Sequence, residues 1–159
     1  MKYMDKEKIA LENFKQGLNC AQSVFCVFAQ EGGLSREKAL LIASCFGGGM
    51  RCGEVCGAVT GALMAIGLNF GFTSVQNPAD KARANALAVS FEEQFIAKKQ
   101  TTLCRELLGY DLSDPEELIH ITEQGLFGSI CPQLISEAVL IVEKMFADQI
   151  KEPIPADRI

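Results

Sequence analysis

The chain has no tryptophan and a single histidine, His120, among its 159 residues. That excludes a metal site built from several histidines, and equally a histidine-rich catalytic centre, within one copy of the chain. Basic residues are in the minority, 15 against 20 acidic ones, for a net charge of −5. Without a broad basic surface, neither nucleic acid nor an anionic membrane is expected as the main partner. Long apolar runs are also scarce. The stretch Ala58 to Phe72 is broken by Gly, Thr and Asn, and it falls short of the roughly 20 apolar residues that span a bilayer. The first residues, Met1 to Lys8, mix charges of both signs with no apolar segment behind them. No export signal is read there, and a cytoplasmic location is expected. Two nucleotide motifs are missing as well. No Lys-Ser or Lys-Thr pair follows the glycines of Gly47-Gly48-Gly49, and Cys52 stands where a dinucleotide fingerprint needs its third glycine.

What the chain has in excess is cysteine: Cys20, Cys26, Cys45, Cys52, Cys56, Cys104 and Cys131. Cytosolic thiols stay reduced, so such an excess points to metal binding or catalysis before a disulfide framework. Seven is odd, which leaves at least one thiol unpaired. There is no C-x-x-C pair. A thioredoxin-type dithiol and an ordinary zinc finger are therefore disfavoured, and any site using several cysteines must be assembled by the fold.

Apolar residues make up 48% of the chain, enough for a real core, and their spacing is helical. Phe14, Leu18, Ala21, Phe25 and Phe28 share one face of a helix running from about Asp5 to Gln30, with a bend at Gly17. Ser35 caps a second helix reaching about Cys45. A third covers about Glu54 to Asn69. Asn77-Pro78 opens a fourth. Thr101 or Thr102 caps a short fifth ending at Gly109, and Asp114 with Glu116-Glu117 gives a capping-box start to a sixth ending at Gly125. Pro132 is the first residue of the last helix, and Pro153-Ile154-Pro155 ends the chain outside it. No strand pattern stands out. The expected fold is a single compact all-α bundle of five to seven helices, one domain over 1–159, with residues 151–159 as a non-helical tail.

On that map, Cys56, Cys104 and Cys131 fall at or near helix N-termini, where free amide groups and the helix dipole favour a thiolate. Cys20 lies inside the first helix. Cys26 and Cys45 read as core packing, and His120 as an ordinary helix residue. Gly53, Gly57, Gly61 and Ala65 recur every fourth residue and form a small-residue stripe on the third helix, a stripe that lets another backbone come close. Each helical glycine costs about 1 kcal/mol relative to alanine, so close packing or a site beside Cys56 should offset it.

These segments resemble a known family. Asn19-Cys20-Ala21-Gln22, Phe46-Gly47-Gly48-Gly49-Met50 and Cys56-Gly57-Ala58-Val59-Thr60-Gly61-Ala62-Leu63, followed by Cys104 and Cys131, are similar to the C_GCAxxG_C_C family over roughly residues 5–147. That family consists of small proteins described as redox-active. The resemblance implies that Cys20, Cys56, Cys104 and Cys131 are the family cysteines. Cys26, Cys45 and Cys52 are extra, and Cys52 is close enough to Cys56 to join the site. The family carries no settled reaction.

Two chemistries use the same four residues. In the first, the cysteines cycle between dithiol and disulfide, with Cys56 the candidate nucleophile. In the second, all four ligate zinc or an iron–sulfur cluster, with Gly47, Gly48, Gly49, Gly57 and Gly61 making room for the inorganic core. A helical interaction module with inert cysteines is the third reading. A redox role without a nucleotide motif calls for an external electron donor or acceptor protein. Oligomeric state stays open.

Overall fold

Capping side chains and glycines set most helix boundaries. The computed structural model describes residues 5–151, and the side chains of residues 5–149. Asp5 accepts the Lys8 N–H and opens α1 (Lys6–Lys15). Asn19 accepts the Gln22 N–H while the Gln22 side chain accepts the Asn19 N–H. This reciprocal capping box opens α2 (Cys20–Ala29). Ser35 caps α3 (Arg36–Ala43). A wide turn over Gly49–Gly53 then leads to α4 (Gly57–Phe70). Asn77 and Pro78 open α5 (Pro78–Lys99). Next come α6 (Cys104–Leu108), α7 (Pro115–Glu123), α8 (Leu126–Ser129) and α9 (Cys131–Lys151). No strand occurs among the described residues; one isolated bridge pairs Val55 with Leu103.

The architecture is all-α, as expected: among the described residues there are nine helices, of which seven have seven or more residues and α6 and α8 are short. The main difference is at the start. The expected helix from Asp5 to Gln30 is two helices, because Gly17 sits at φ +106 and the Asn19 box restarts the winding. Cys20 consequently begins a helix instead of lying within one. Likewise α4 starts at Gly57, not Glu54, which makes Cys56 its N-cap and leaves Gly53 in the preceding turn at φ +68. The small-residue stripe is therefore Gly57, Gly61 and Ala65. At α7, Asp114 accepts the Glu116 and Glu117 N–H groups, but Glu117 bonds the Asp111 N–H in place of closing a box. α9 begins at Cys131, one residue before Pro132. The short α8 follows a left-handed Gly125 and has no apolar period to reveal it. Lys151, expected in the non-helical tail, still belongs to α9, and the rest of that tail, 152–159, lies outside the described residues.

α2 is central, packed by α1, α3, α4 and α9. A Cβ on Gly61 would stand 2.7 Å from the Ala21 carbonyl oxygen, and one on Gly57 would stand 3.0 Å from the Cys20 Cβ. The glycines thus let α4 touch the α2 backbone and set Cys56 beside Cys20. Around them lies the main core, with Phe28, Phe91, Phe95, Ile135, Val139 and Val142 fully buried. A second, smaller core contains Cys104, Leu108, Leu112, Ile121 and Cys131, and Phe14 and Cys20 pack against both. By length and composition Leu126–Gln149 is apolar enough to cross a membrane. Here Leu134, Ile135, Ala138, Val139, Val142 and Met145 of that stretch are buried in the bundle.

Candidate functional site

The four cysteines that the resemblance singles out each begin a helix. Cys20 is the first residue of α2, Cys56 the N-cap of α4, Cys104 the first residue of α6 and Cys131 the first of α9. A pair of backbone bonds ties two of them together. Cys56 N–H donates to the Thr102 carbonyl and Cys104 N–H to the Glu54 carbonyl, both at 2.7 Å. This short antiparallel clasp, centred on Val55 and Leu103, brings the starts of α4 and α6 side by side. The Gly57 contact with α2 adds Cys20.

All four thiols line one cavity of about 430 Å³. Gly47, Gly48 and Gly57 also line it, with Phe14, Leu18, Leu108, Phe127 and Leu134 as apolar wall. Gly49 and Gly61 lie elsewhere. Gly49 is pressed against the Glu54 backbone, where a Cβ would come within 2.5 Å, and Gly61 faces Ala21. Cys52 does not line the cavity; it is exposed and its thiol donates to the Gly49 carbonyl. Cys45, expected as packing, is exposed in the turn after α3. Cys26 is buried but polar in its contacts: the Asn13 side-chain amide and the Arg36 guanidinium both reach its sulfur at 3.2 Å. A larger cavity of about 790 Å³, among Asp5, Phe28, Phe70 and Glu143, holds no cysteine.

The thiols differ in acidity, and burial decides most of it. Burial pushes Cys56 up to about 11 despite the Ala58 and Val59 amides that favour its thiolate. Burial also drives Cys104 up to about 12, reinforced by Cys56, Cys131 and Asp111 and opposed by Arg51. A helix N-terminus stabilises a charge by about 0.3–1 kcal/mol, up to ~2, whereas full burial moves a pKa by as much as ~3–5 units, each worth ~1.4 kcal/mol. Desolvation therefore outweighs the helix-terminus effect at these two residues, against the expectation from position alone. Cys131 goes the other way. Its interaction with the neighbouring Cys20 thiol lowers it, with its own backbone N–H assisting against burial. The same interaction, together with burial, holds Cys20 well above the ordinary thiol range. Of this pair Cys131 ionises first.

Residues 18–145 match the family model described as "Putative redox-active protein (C_GCAxxG_C_C)". The chain belongs to the C_GCAxxG_C_C family. No curated protein and no solved structure matches it. In this C_GCAxxG_C_C protein the cavity holds one more functional group that the sequence reading passed over, the guanidinium of Arg51. Its only sequence signal is a lone cation inside a glycine loop. The helix start at Cys20 did have a signal, the Asn19-x-x-Gln22 pair three residues apart, concealed by the continuous apolar period. Among the described residues no three His, Cys, Asp or Glu side chains converge on one point able to hold a metal ion.

Proposed function

We propose that this protein is a thiol–disulfide redox protein whose reacting pair is Cys131 and Cys20. The observation that carries the reading is the placement of the two cysteines, which line one cavity, with Cys20 packed against the small core that contains Cys131. Of two interacting buried thiols, the more acidic one loses its proton first, and the thiolate is the nucleophile; Cys131 is the one lowered. Cys131 therefore attacks, replacing Cys56, whose burial keeps it protonated near neutral pH. Cys20, lining the same cavity, resolves the mixed disulfide. Cys56 and Cys104 remain as reduced thiols that wall the cavity. The reading places the protein in the reducing cytoplasm, served by an external electron donor or acceptor protein.

A second reading rests on the shared cavity. Zinc needs its four ligands around one point, which these residues lack. An iron–sulfur cluster spreads its cysteines over several irons, so a common cavity lined by Cys20, Cys56, Cys104 and Cys131 meets its need.

One experiment separates the two. Protein prepared without oxygen is examined by absorption spectroscopy, with iron, sulfide and thiol analysis. The dithiol reading expects a colourless, iron-free protein that reversibly loses two thiols on mild oxidation, and a Cys20–Cys131 bond in the peptide map. Visible bands with stoichiometric iron and sulfide overturn it in favour of the cluster.

A further inference from the structure

Arg51 is the only charged side chain among the described residues that line the cysteine cavity. Its placement is energetically unfavourable locally. Gly48, Gly49, Met50 and Arg51 are four successive left-handed residues at φ +65, +61, +58 and +62. For a non-glycine residue that conformation is strained, and such strain gathers at functional sites. The guanidinium has no protein acceptor among the described residues. The neighbouring cation Arg105 takes Glu54, and Ser113 holds Asp111 through both its N–H and its O–H. Arg51 lies near enough to Cys104 to oppose its rise in pKa. The backbone is thus turned to hold an unpaired two-pronged donor near Cys104, at an exposed rim of the cavity.

We propose that Arg51 anchors the carboxylate of a small anionic disulfide, positioning its S–S bond at Cys131. The inference rests on the dithiol reading above and names its substrate class. A volume of about 430 Å³ lies within the roughly 300–1,000 Å³ usual for small-molecule clefts. The apolar wall of Phe14, Leu18 and Phe127 suits a short hydrocarbon spacer between sulfur and carboxylate. A guanidinium binds a carboxylate through two parallel N–H···O bonds, giving orientation as well as attraction. A protein disulfide fits less well, because Cys131 is only 5% exposed.

The exchange balances in two steps. The Cys131 thiolate attacks one sulfur of R–S–S–R, forming Cys131–S–S–R and releasing R–S⁻. The Cys20 sulfur then attacks Cys131 Sγ, expelling the second R–S⁻ and forming the Cys20–Cys131 disulfide. The two thiol protons end on the leaving groups. One disulfide is reduced to two R–SH and the protein dithiol is oxidised by two electrons.

The test uses the full chain, reduced and kept without oxygen. Thiol loss is followed with 3,3′-dithiodipropionate (a dianion), 2-hydroxyethyl disulfide (neutral) and cystamine (a dication). Each rate is divided by that of the same disulfide with a free small thiol, which removes differences in intrinsic reactivity. A preference of about tenfold for the dianion over the neutral probe is expected, equivalent to about 1.4 kcal/mol. R51Q should collapse that preference toward unity and Arg51→Lys should restore part of it, with unchanged helical circular dichroism in both. Equal normalised rates in the parent protein, or a preference that survives R51Q, overturn the anchor. Failure of every probe, the neutral one included, to oxidise Cys20 and Cys131 overturns the dithiol reading instead, and the anchor with it.

Discussion

The carbonyl oxygen of Ala21 lies 2.7 Å from where a Cβ on Gly61 would stand. No side chain fits between these two helices at that point, so the approach of α4 to α2 depends on glycine. The same approach carries Gly57 to the Cys20 Cβ and defines one wall of the cysteine cavity.

Gly61→Val should therefore force the helices apart. Overpacking of this kind costs ~1–3 kcal/mol, read as a lowered Tm and a lowered denaturant midpoint. Because the separation moves Cys20 from Cys56, labelling of Cys20 by a thiol reagent should also speed up. An unchanged Tm contradicts the close contact.

The Asn19 box holds Cys20 at its helix start, and the Asn19 side-chain amide also donates to the Ser44 carbonyl at 3.0 Å. Asn19→Ala removes both. The expected loss is about 1 kcal/mol for the cap, with more from the freed Ser44 carbonyl. Guanidinium unfolding measures it, and a variant as stable as the parent would show the cap to be dispensable.

Cys131 and Cys20 should be individually indispensable to redox cycling and dispensable to the fold. Cys131→Ser and Cys20→Ser are each expected to retain the helical circular dichroism spectrum and to lose the reversible two-thiol step. Trapping a mixed disulfide should succeed in Cys20→Ser, which retains the nucleophile, and fail in Cys131→Ser. The reverse pattern would exchange their roles.

The pH dependence has opposite signs at the two kinds of cysteine. Cys131 is lowered in the folded state, so its contribution to stability is present above the unfolded thiol value and is lost as pH falls through its folded value. Cys56 and Cys104 are raised, to about 11 and about 12. Their contribution is complete below the unfolded thiol value of 9.0 and is lost as pH rises through their folded values. The Tm should accordingly fall between pH 9 and about 12, and fall less in Cys56→Ala. Alkylation of Cys131 should begin at lower pH than that of the other three, and Cys20→Ala should move its onset upward.

The sequence alone determined the helices with their own punctuation. Ser35, Asn77-Pro78 and Gly109 mark boundaries through local hydrogen bonds and backbone limits, so no distant contact is needed to place them. It also determined which cysteines lie at helix starts, apart from Cys20, where an unbroken apolar period concealed the restart at Asn19. The tertiary structure decided the chemistry. Which thiols share a cavity depends on the Thr102–Cys56 clasp and on the Ala21–Gly61 approach, both between segments far apart in the chain. Which thiol is acidic depends on burial and on a partner sulfur from another helix. A helix terminus is local and weak, whereas desolvation is set by everything packed around the group, and no local pattern encodes that.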